Sequence, residues 1–340
     1  MEGKREFPLE QAIAASRNIK PASLKTYLSA LIQLKRKIEP NEISRLIDTS
    51  FLSDFDNVMK VIDSENKITS KKNKLTAILV ALKSDENKDD DLIKKYTDVL
   101  KDYGEKYTHF LKKQEKTDTQ NANWISYDEL IGVANRLMED VKHYNLKAKE
   151  TLTKKECDML QQLVVIRTYI AFPLRNDFAD MRVVTGAEYK DLGADAKITT
   201  NYLVIYPHNK KQFHINQYKN ERYLGAKTLD VKSDLNRIIN LWLKFNKSGF
   251  YLIRCDNKTA MNPNGITKYL NKIFAKFSGK KISTSMIRHI IISHELEGQR
   301  TIAEEDARAK KIQNTFLHSK EVNDLYRKVD KPKRSREPTK

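Results

Sequence analysis

The chain has 340 residues, 39% of them hydrophobic, so it is long enough for two domains that each bury a core. It carries 63 Lys and Arg residues against 45 Asp and Glu residues, and the resulting net charge of +18 predicts a polyanionic partner, most simply nucleic acid. The two cysteines have no CxxC spacing, which argues against a disulfide framework and a zinc site. The apolar runs are far shorter than the roughly 18 residues of a membrane span. No signal peptide is evident, so we expect an intracellular protein.

The first third of the chain is predicted to be all-α. From Leu24 to Ile38 the apolar residues keep helical spacing until Pro40 ends the pattern, and further helices are expected up to residue 111. Residues 112–123 have almost no apolar side chains and are predicted to be a linker. Most of the excess positive charge lies after it, because residues 126–340 carry 40 Lys and Arg against 25 Asp and Glu.

The second part of the chain is predicted to be mainly helical with a small antiparallel sheet. Capping boxes, Ser126 with Glu129 and Thr153 with Glu156, mark the starts of two helices. Between residues 201 and 231, three short segments rich in β-branched and aromatic residues read as strands. The prediction is therefore an α+β protein with a helical domain at 1–111, a second domain at 124–330 and a basic, disordered tail at 331–340.

The most distinctive stretch is STSMIRHIIISHEL, residues 283–296. It reads as a helix capped by Ser283 or Thr284, with Arg288 set among apolar residues, where a guanidinium needs an anion. His318 follows thirty residues later and Tyr326 eight residues after that. Upstream, AFPLRNDFADM places Arg175 just after a proline at the end of a predicted helix.

These pieces together resemble the catalytic domain of the tyrosine recombinases, also called the phage integrase superfamily. The resemblance covers residues 125–330, preceded as in that family by a helical core-binding domain. It implies that Arg175, Arg288 and His318 contact the scissile phosphate and that Tyr326 is the nucleophile. Lys219, in INQYKNERYLG, is the best match for the family's hairpin lysine. Ser285 and Leu317 depart from the pattern, since a histidine and a glycine are usual there.

The implied chemistry is transesterification of a DNA phosphodiester. Two guanidiniums clamp the non-bridging oxygens, Tyr326 attacks phosphorus to form a 3′-phosphotyrosine, and Lys219 protonates the leaving 5′ oxygen. Neither a metal nor a nucleotide cofactor is expected. A serine hydroxyl at position 285 can donate a hydrogen bond to phosphate but is a poor general base.

Each of these residues also has a structural interpretation. Arg175 can pair with Asp177 or Asp180, Lys227 competes with Lys219, and one tyrosine among 15 is commonly a packing residue. His289 and His294 are predicted to serve packing and hydrogen bonding.

The resemblance implies a site-specific recombinase or integrase that acts on double-stranded DNA as a homotetramer. Its spacing is nearer to the recombinases of large DNA viruses and mobile elements than to bacterial dimer-resolution enzymes. The expected place of action is wherever that DNA lies: a prokaryotic cytoplasm, a viral factory or a nucleus. Two alternatives stay open: a type IB topoisomerase, and a DNA-binding or architectural protein whose catalysis has decayed.

Overall fold

The chain divides into two compact units, Met1–Lys113 and Gln114–Lys340. The computed structural model describes residues 8–16, 19, 21–41, 46, 48–254, 258–297, 304–305, 307–308, 310–311, 317 and 320–329. The segment predicted as a linker, residues 112–123, is structured in its second half. Helix α6 (Asp118–Asn123) begins there with a capping box between Thr117 and Gln120. The tail predicted at 331–340 lies outside the described residues.

The first unit is helical throughout its described elements. Its helices are α1 (Pro8–Ser16), α2 (Pro21–Ile38), α3 (Phe55–Asp63), α4 (Ile68–Ser84) and α5 (Asp90–Lys112). Helix α4 contacts the other four, and all of residues 77–82 on it are buried. A helical segment that is buried on every side needs other helices around it, so this part of α4 forms the centre of the unit. None of the described helices combines the length and apolarity that crossing a membrane requires.

The second unit contains a four-stranded sheet surrounded by helices. In chain order its elements are α6, α7 (Tyr127–His143), α8 (Lys154–Ala171), β1 (Arg182–Thr185), α9 (Gly186–Asp191), α10 (Ala194–Thr199), β2 (Tyr202–Ile205), β3 (Lys211–Ile215), α11 (Glu221–Leu224), β4 (Lys227–Asp230), α12 (Ser233–Phe245), α13 (Pro263–Ser278), α14 (Thr284–Glu295) and α15 (Lys320–Tyr326). Helices α7 and α8 begin at the predicted capping boxes, which are therefore confirmed.

The sheet has the order β1-β2-β3-β4. The three predicted strands pair antiparallel, but β1 is an additional strand and pairs parallel to β2. The α+β class is confirmed, whereas the prediction of a purely antiparallel sheet is wrong: the sheet is mixed. With only four residues, Arg182–Thr185 gives no alternating pattern long enough to recognise.

One row of side chains across the sheet belongs to the hydrophobic core of the second unit. Leu203, Phe213 and Leu229 lie opposite one another on adjacent strands, and all three are buried. The Phe213 ring also contacts the rings of Phe178 and Tyr251, at centroid distances of 5.1 and 5.2 Å. The contact with Phe178 joins the sheet to the segment that follows α8. That segment carries Arg175.

The replacement Phe213→Ala should destabilise the second unit by about 3 to 5 kcal/mol, because it opens a cavity where the sheet meets the buried rings. Both tryptophans, Trp124 and Trp242, belong to this unit, so tryptophan fluorescence during urea unfolding reports on it. The exposed Tyr144→Ala replacement is the control and should change the free energy of unfolding by no more than about 0.5 kcal/mol. Equal effects of the two replacements would contradict this description of the core.

Candidate active site

Helix α14 buries its arginine because apolar residues occupy the positions around it. Ser283 caps the helix by accepting a hydrogen bond from the Met286 amide, as the sequence predicts. Ile287 and Ile291 are buried on either side of Arg288, which is itself only 1% exposed. The helix packs against α7, α8 and α15. The predicted setting of Arg288 inside an apolar helix is thus confirmed.

The charge of Arg288 is retained in spite of burial. Loss of hydration lowers the pKa of its guanidinium from its ordinary value to about 10. Tyr326 and the Asp177 carboxyl favour the charged form, whereas the positive charge of Arg175 opposes it. A pKa of about 10 keeps the group cationic at neutral pH. The site therefore holds a desolvated positive charge that interacts with a second guanidinium.

Arg175 lies in the short segment after α8, which is fixed through its backbone. The Tyr169 hydroxyl donates to the Arg175 carbonyl at 2.9 Å, and the Arg175 amide donates to the Asp177 carboxylate at 3.0 Å. Pro173 and Leu174 are buried, and the Arg175 side chain is half-buried. The main chain is thus held rigidly while the guanidinium retains access to solvent.

Asp177 is the acidic residue associated with the two arginines. Burial raises the pKa of its carboxyl, while the Arg175 amide and the charges of Arg175 and Arg288 act in the opposite direction. The sequence offered Asp177 and Asp180 as partners of the Arg175 side chain. The hydrogen bond in the structure runs instead from the Arg175 backbone to Asp177.

Asn201 connects this segment to the chain that leads to Lys219, a role that the sequence did not indicate. Its side-chain nitrogen donates to the carbonyls of Asp177 and Gln217, both at 2.9 Å. Its oxygen accepts from the amides of Asn216 and Gln217, at 2.9 and 2.7 Å. One amide side chain thus makes four hydrogen bonds between segments that are remote in sequence.

Lys219 itself is exposed, in the connection between β3 and β4. The flanking residues are held in place: the Tyr218 hydroxyl donates to the Gly225 carbonyl at 2.8 Å, and the Asn220 side chain donates to the Leu317 carbonyl at 3.3 Å. The second bond brings this connection to the residue before His318. His318 lies outside the described residues.

Tyr326 ends α15 and packs directly on α14. Its ring centroid is 4.9 Å from the Arg288 guanidinium carbon and 4.8 Å from the His289 ring centroid. The His289 Nδ1–H donates to the Tyr326 carbonyl at 2.7 Å, because a carbonyl oxygen can only accept. Arg288 and His289 are therefore neighbours on one helix that both hold the tyrosine.

The pKa of His289 is lowered to about 4, mainly by burial and to a smaller extent by the nearby charges of Lys328 and Arg288, while the hydrogen bond to the Tyr326 carbonyl acts in the opposite direction. At neutral pH the ring is uncharged and keeps its proton on Nδ1. His294 also packs, since its ring stacks on Tyr127 at 4.1 Å with nearly parallel planes. Both histidines have contacts of the packing kind predicted for them.

The chain beyond Tyr326 is fixed by the beginning of the same unit. The Lys328 amide donates to the Ser293 hydroxyl at 2.8 Å. Val329 then pairs with Glu115 in a parallel bridge: its amide donates to the Gln114 carbonyl at 2.9 Å, and its carbonyl accepts from the Lys116 amide at 3.4 Å. We call this pairing of residues 114–116 with Val329 the terminal ladder. Together with the bond from Lys328 to Ser293, it fixes the chain directly after Tyr326.

Of the predicted site residues, Arg175, Arg288 and Tyr326 are brought together, with Arg288 interacting with each of the other two. Ser285 is exposed on the first turn of α14, one turn before Arg288. Lys219 is connected to this region only through its neighbours. Asp177, His289 and Asn201 complete the arrangement. Within the described ranges, no group of three or more acidic, imidazole or thiol side chains is placed to hold a metal ion.

Comparisons with known proteins give little. No protein-family model matches the sequence. No curated protein matches it either. A solved structure titled "Crystal structure of XerA recombinase" is similar over 94% of this chain and 92% of that chain, with a TM-score of 0.38 and 12% sequence identity. A likeness of that size carries no argument about the function of this chain.

The neutral state of His289 predicts a pH dependence of stability. The histidine has a pKa of about 4 when folded, against its ordinary 6.5. Between these two pH values the unfolded chain binds a proton at His289 that the folded chain does not. The contribution of the neutral ring to the free energy of unfolding is therefore complete above pH 6.5 and is lost as the pH falls toward 4. In urea unfolding, the free energy of unfolding of wild type should fall between pH 7 and pH 5 by up to about 2 kcal/mol more than that of His289→Asn. The asparagine amide can still donate to the Tyr326 carbonyl.

The exposed His143→Asn replacement is the matched control and should keep the pH dependence of wild type. An identical pH dependence in wild type and His289→Asn would show that this histidine is not held neutral.

Proposed function

We propose that this protein is a DNA strand transferase, a site-specific recombinase or integrase that cleaves and rejoins DNA through a 3′-phosphotyrosine. The observation that carries the proposal is the packing of Tyr326 on the buried, charged Arg288, whose charge also interacts with that of Arg175. A tyrosine packed on one guanidinium, whose charge interacts with a second, provides a nucleophile next to a binding site for an anion with delocalised charge. A phosphodiester in its transition state is such an anion.

The proposed reaction proceeds in two balanced steps. In the first step, the Tyr326 hydroxyl loses its proton to solvent and its oxygen attacks phosphorus while the bond to the 5′ oxygen breaks. The leaving oxygen takes a proton, for which Lys219 is our candidate donor. Arg175 and Arg288 bind the non-bridging oxygens, with His318 as a further hydrogen-bond donor. In the second step, another 5′-hydroxyl gives its proton to the now neutral Lys219 and attacks phosphorus. The bond to the Tyr326 oxygen breaks, and that oxygen takes a proton from solvent. The covalent link conserves the bond energy, so the exchange is isoenergetic.

The proposed residues come from separate parts of the second unit. Arg175 lies in the segment after α8, Arg288 in α14 and Tyr326 at the end of α15. The net charge of +18 supports DNA as the partner, since counterion release drives the binding of basic proteins to duplex DNA. A homotetramer on paired DNA sites is part of the same proposal.

A second function, DNA binding without cleavage, is favoured by one observation. Ser285 is exposed where the resemblance expects a histidine, and its hydroxyl is a poor general base. In that case the basic surface binds DNA while Tyr326 serves only to hold α15 on α14.

The decisive measurement is covalent capture on a nicked suicide duplex, followed by a denaturing gel. Wild type should form a protein–DNA adduct that maps to Tyr326, and Tyr326→Phe should form none, because the replacement removes the attacking oxygen. Tyr144→Phe, at an exposed tyrosine of the same unit, should react as wild type does.

Salt-sensitive binding with no adduct on any duplex would favour the function without cleavage. Relaxation of supercoiled DNA that needs no specific site would favour a topoisomerase instead of a recombinase.

Replacing Arg288 by lysine tests the phosphate clamp. Lysine keeps a positive charge but loses the planar, bidentate donors, so the rate of adduct formation should fall by about 100-fold or more. DNA affinity, measured by fluorescence anisotropy, should change little because most of it comes from the wider basic surface. Arg237→Lys, at an exposed arginine of α12, is the matched control. An unchanged rate in Arg288→Lys would remove Arg288 from the reaction.

A further inference from the structure

The connection between β3 and β4 is a braced turn that displays one aromatic side chain. The Tyr218 hydroxyl closes the turn on the Gly225 carbonyl, and Asn220 fixes it to Leu317. Gly225 has a φ of +65°, which glycine adopts without strain, and this lets the chain reverse into β4. Residues 216–225 are thus held at both ends and in the middle. We call this segment the braced turn.

Within the braced turn, helix α11 makes a single turn whose inner residue is Leu224, which packs against the core of the second unit. Successive residues of a helix point in directions about 100° apart, so fixing Leu224 inward turns Tyr223 outward. Tyr223 is 88% exposed, more than any other large hydrophobic residue described. The turn therefore holds an aromatic ring in solvent on a rigid support.

The residues near Tyr223 in the chain are mainly basic. Lys219 and Arg222 are exposed and Lys227 is half-buried at the start of β4, against the single acid Glu221. An exposed aromatic ring among cations matches a partner that has flat apolar faces and negative charge together. Nucleic acid has both, because its bases stack on aromatic side chains while its phosphates pair with lysine and arginine. An acidic protein surface would match the charges but offer no stacked planar face.

We infer that Tyr223 is a base-stacking contact for DNA, inserted at a base step that opens near the bound phosphate. The inference deepens the proposed function and rests on it for the identity of the partner. Asn220 connects the turn to Leu317 on one side, while Asn201 connects the chain before it to the Arg175 segment on the other. These bonds connect the turn that displays Tyr223 to the segments around the proposed site. An unpaired base, which costs least to unstack, is the preferred target.

The test compares two fluorescently labelled duplexes of the same length, one fully paired and one with mispaired bases at its centre. Anisotropy titrations at fixed salt should show that wild type prefers the mispaired duplex, and that Tyr223→Ala weakens binding to it by about 10-fold. Tyr223→Phe should bind as wild type does because its ring still stacks. Tyr144→Ala, at another exposed tyrosine, should be unchanged.

Arg222→Gln separates stacking from charge. It should weaken binding to both duplexes by a similar factor and reduce the salt dependence, whereas Tyr223→Ala should leave the salt dependence unaltered. A second readout uses Tyr223→Trp, whose added fluorescence should be quenched over the same DNA concentrations that produce binding. Equal affinities of wild type and Tyr223→Ala for the mispaired duplex, or an equal loss in Tyr144→Ala, would overturn the inference.

The result can be separated from that of the covalent assay. A Tyr326-dependent adduct with no effect of Tyr223→Ala would overturn stacking and leave strand transfer standing. Tyr223-dependent binding without an adduct on any duplex would support stacking and count against strand transfer.

Discussion

The burial of the Arg288 charge is the constraint on which the second unit depends. A guanidinium removed from water is costly unless its surroundings compensate, and here Tyr326 and Asp177 provide that compensation. Each reaches Arg288 from a different part of the chain. The positions of the segment after α8 and of α15 relative to α14 are thus determined by one buried charge as well as by apolar packing.

The two arginines and Asp177 influence one another's ionisation. Burial raises the pKa of the Asp177 carboxyl, while the charges of Arg175 and Arg288 act in the opposite direction. The Tyr326 ring contributes through its π face without carrying a full charge. The buried guanidinium is therefore stabilised by a carboxyl and by an aromatic ring.

Local features of this chain could be predicted from sequence, and long-range ones could not. The caps at Ser126, Thr153 and Ser283 depend on side chains three residues from their partners, so the sequence contains the whole interaction. The apolar neighbours of Arg288 likewise foretell its burial. Asn201 gave no signal, because its four hydrogen bonds join segments that only the fold brings together. Strand β1 was missed for a related reason: two helices separate it from β2 along the chain, and only the fold brings the two strands together.

Family resemblance supplied the candidate residues, and the structure adds how several of them are held. The sequence alone suggested that His289 packs, but not that its Nδ1 proton binds the main chain of Tyr326. That bond fixes the carbonyl at the end of α15, while the phenol ring contacts both Arg288 and the His289 ring. Backbone and side chain of one residue are thus positioned by two adjacent residues of α14.

The terminal ladder has a mechanical consequence. The chain leaves the first unit at Lys113, and the next residue, Gln114, already accepts the hydrogen bond from Val329. Gln114 also donates through its side chain to the carbonyl of Asp324, inside the tyrosine helix. A pull on the chain at Lys113 is therefore borne first by bonds to the helix that carries Tyr326, before it reaches α7 or the sheet. Gln114 thus anchors both the chain that connects the two units and helix α15. Tension in that connecting chain therefore acts directly on α15.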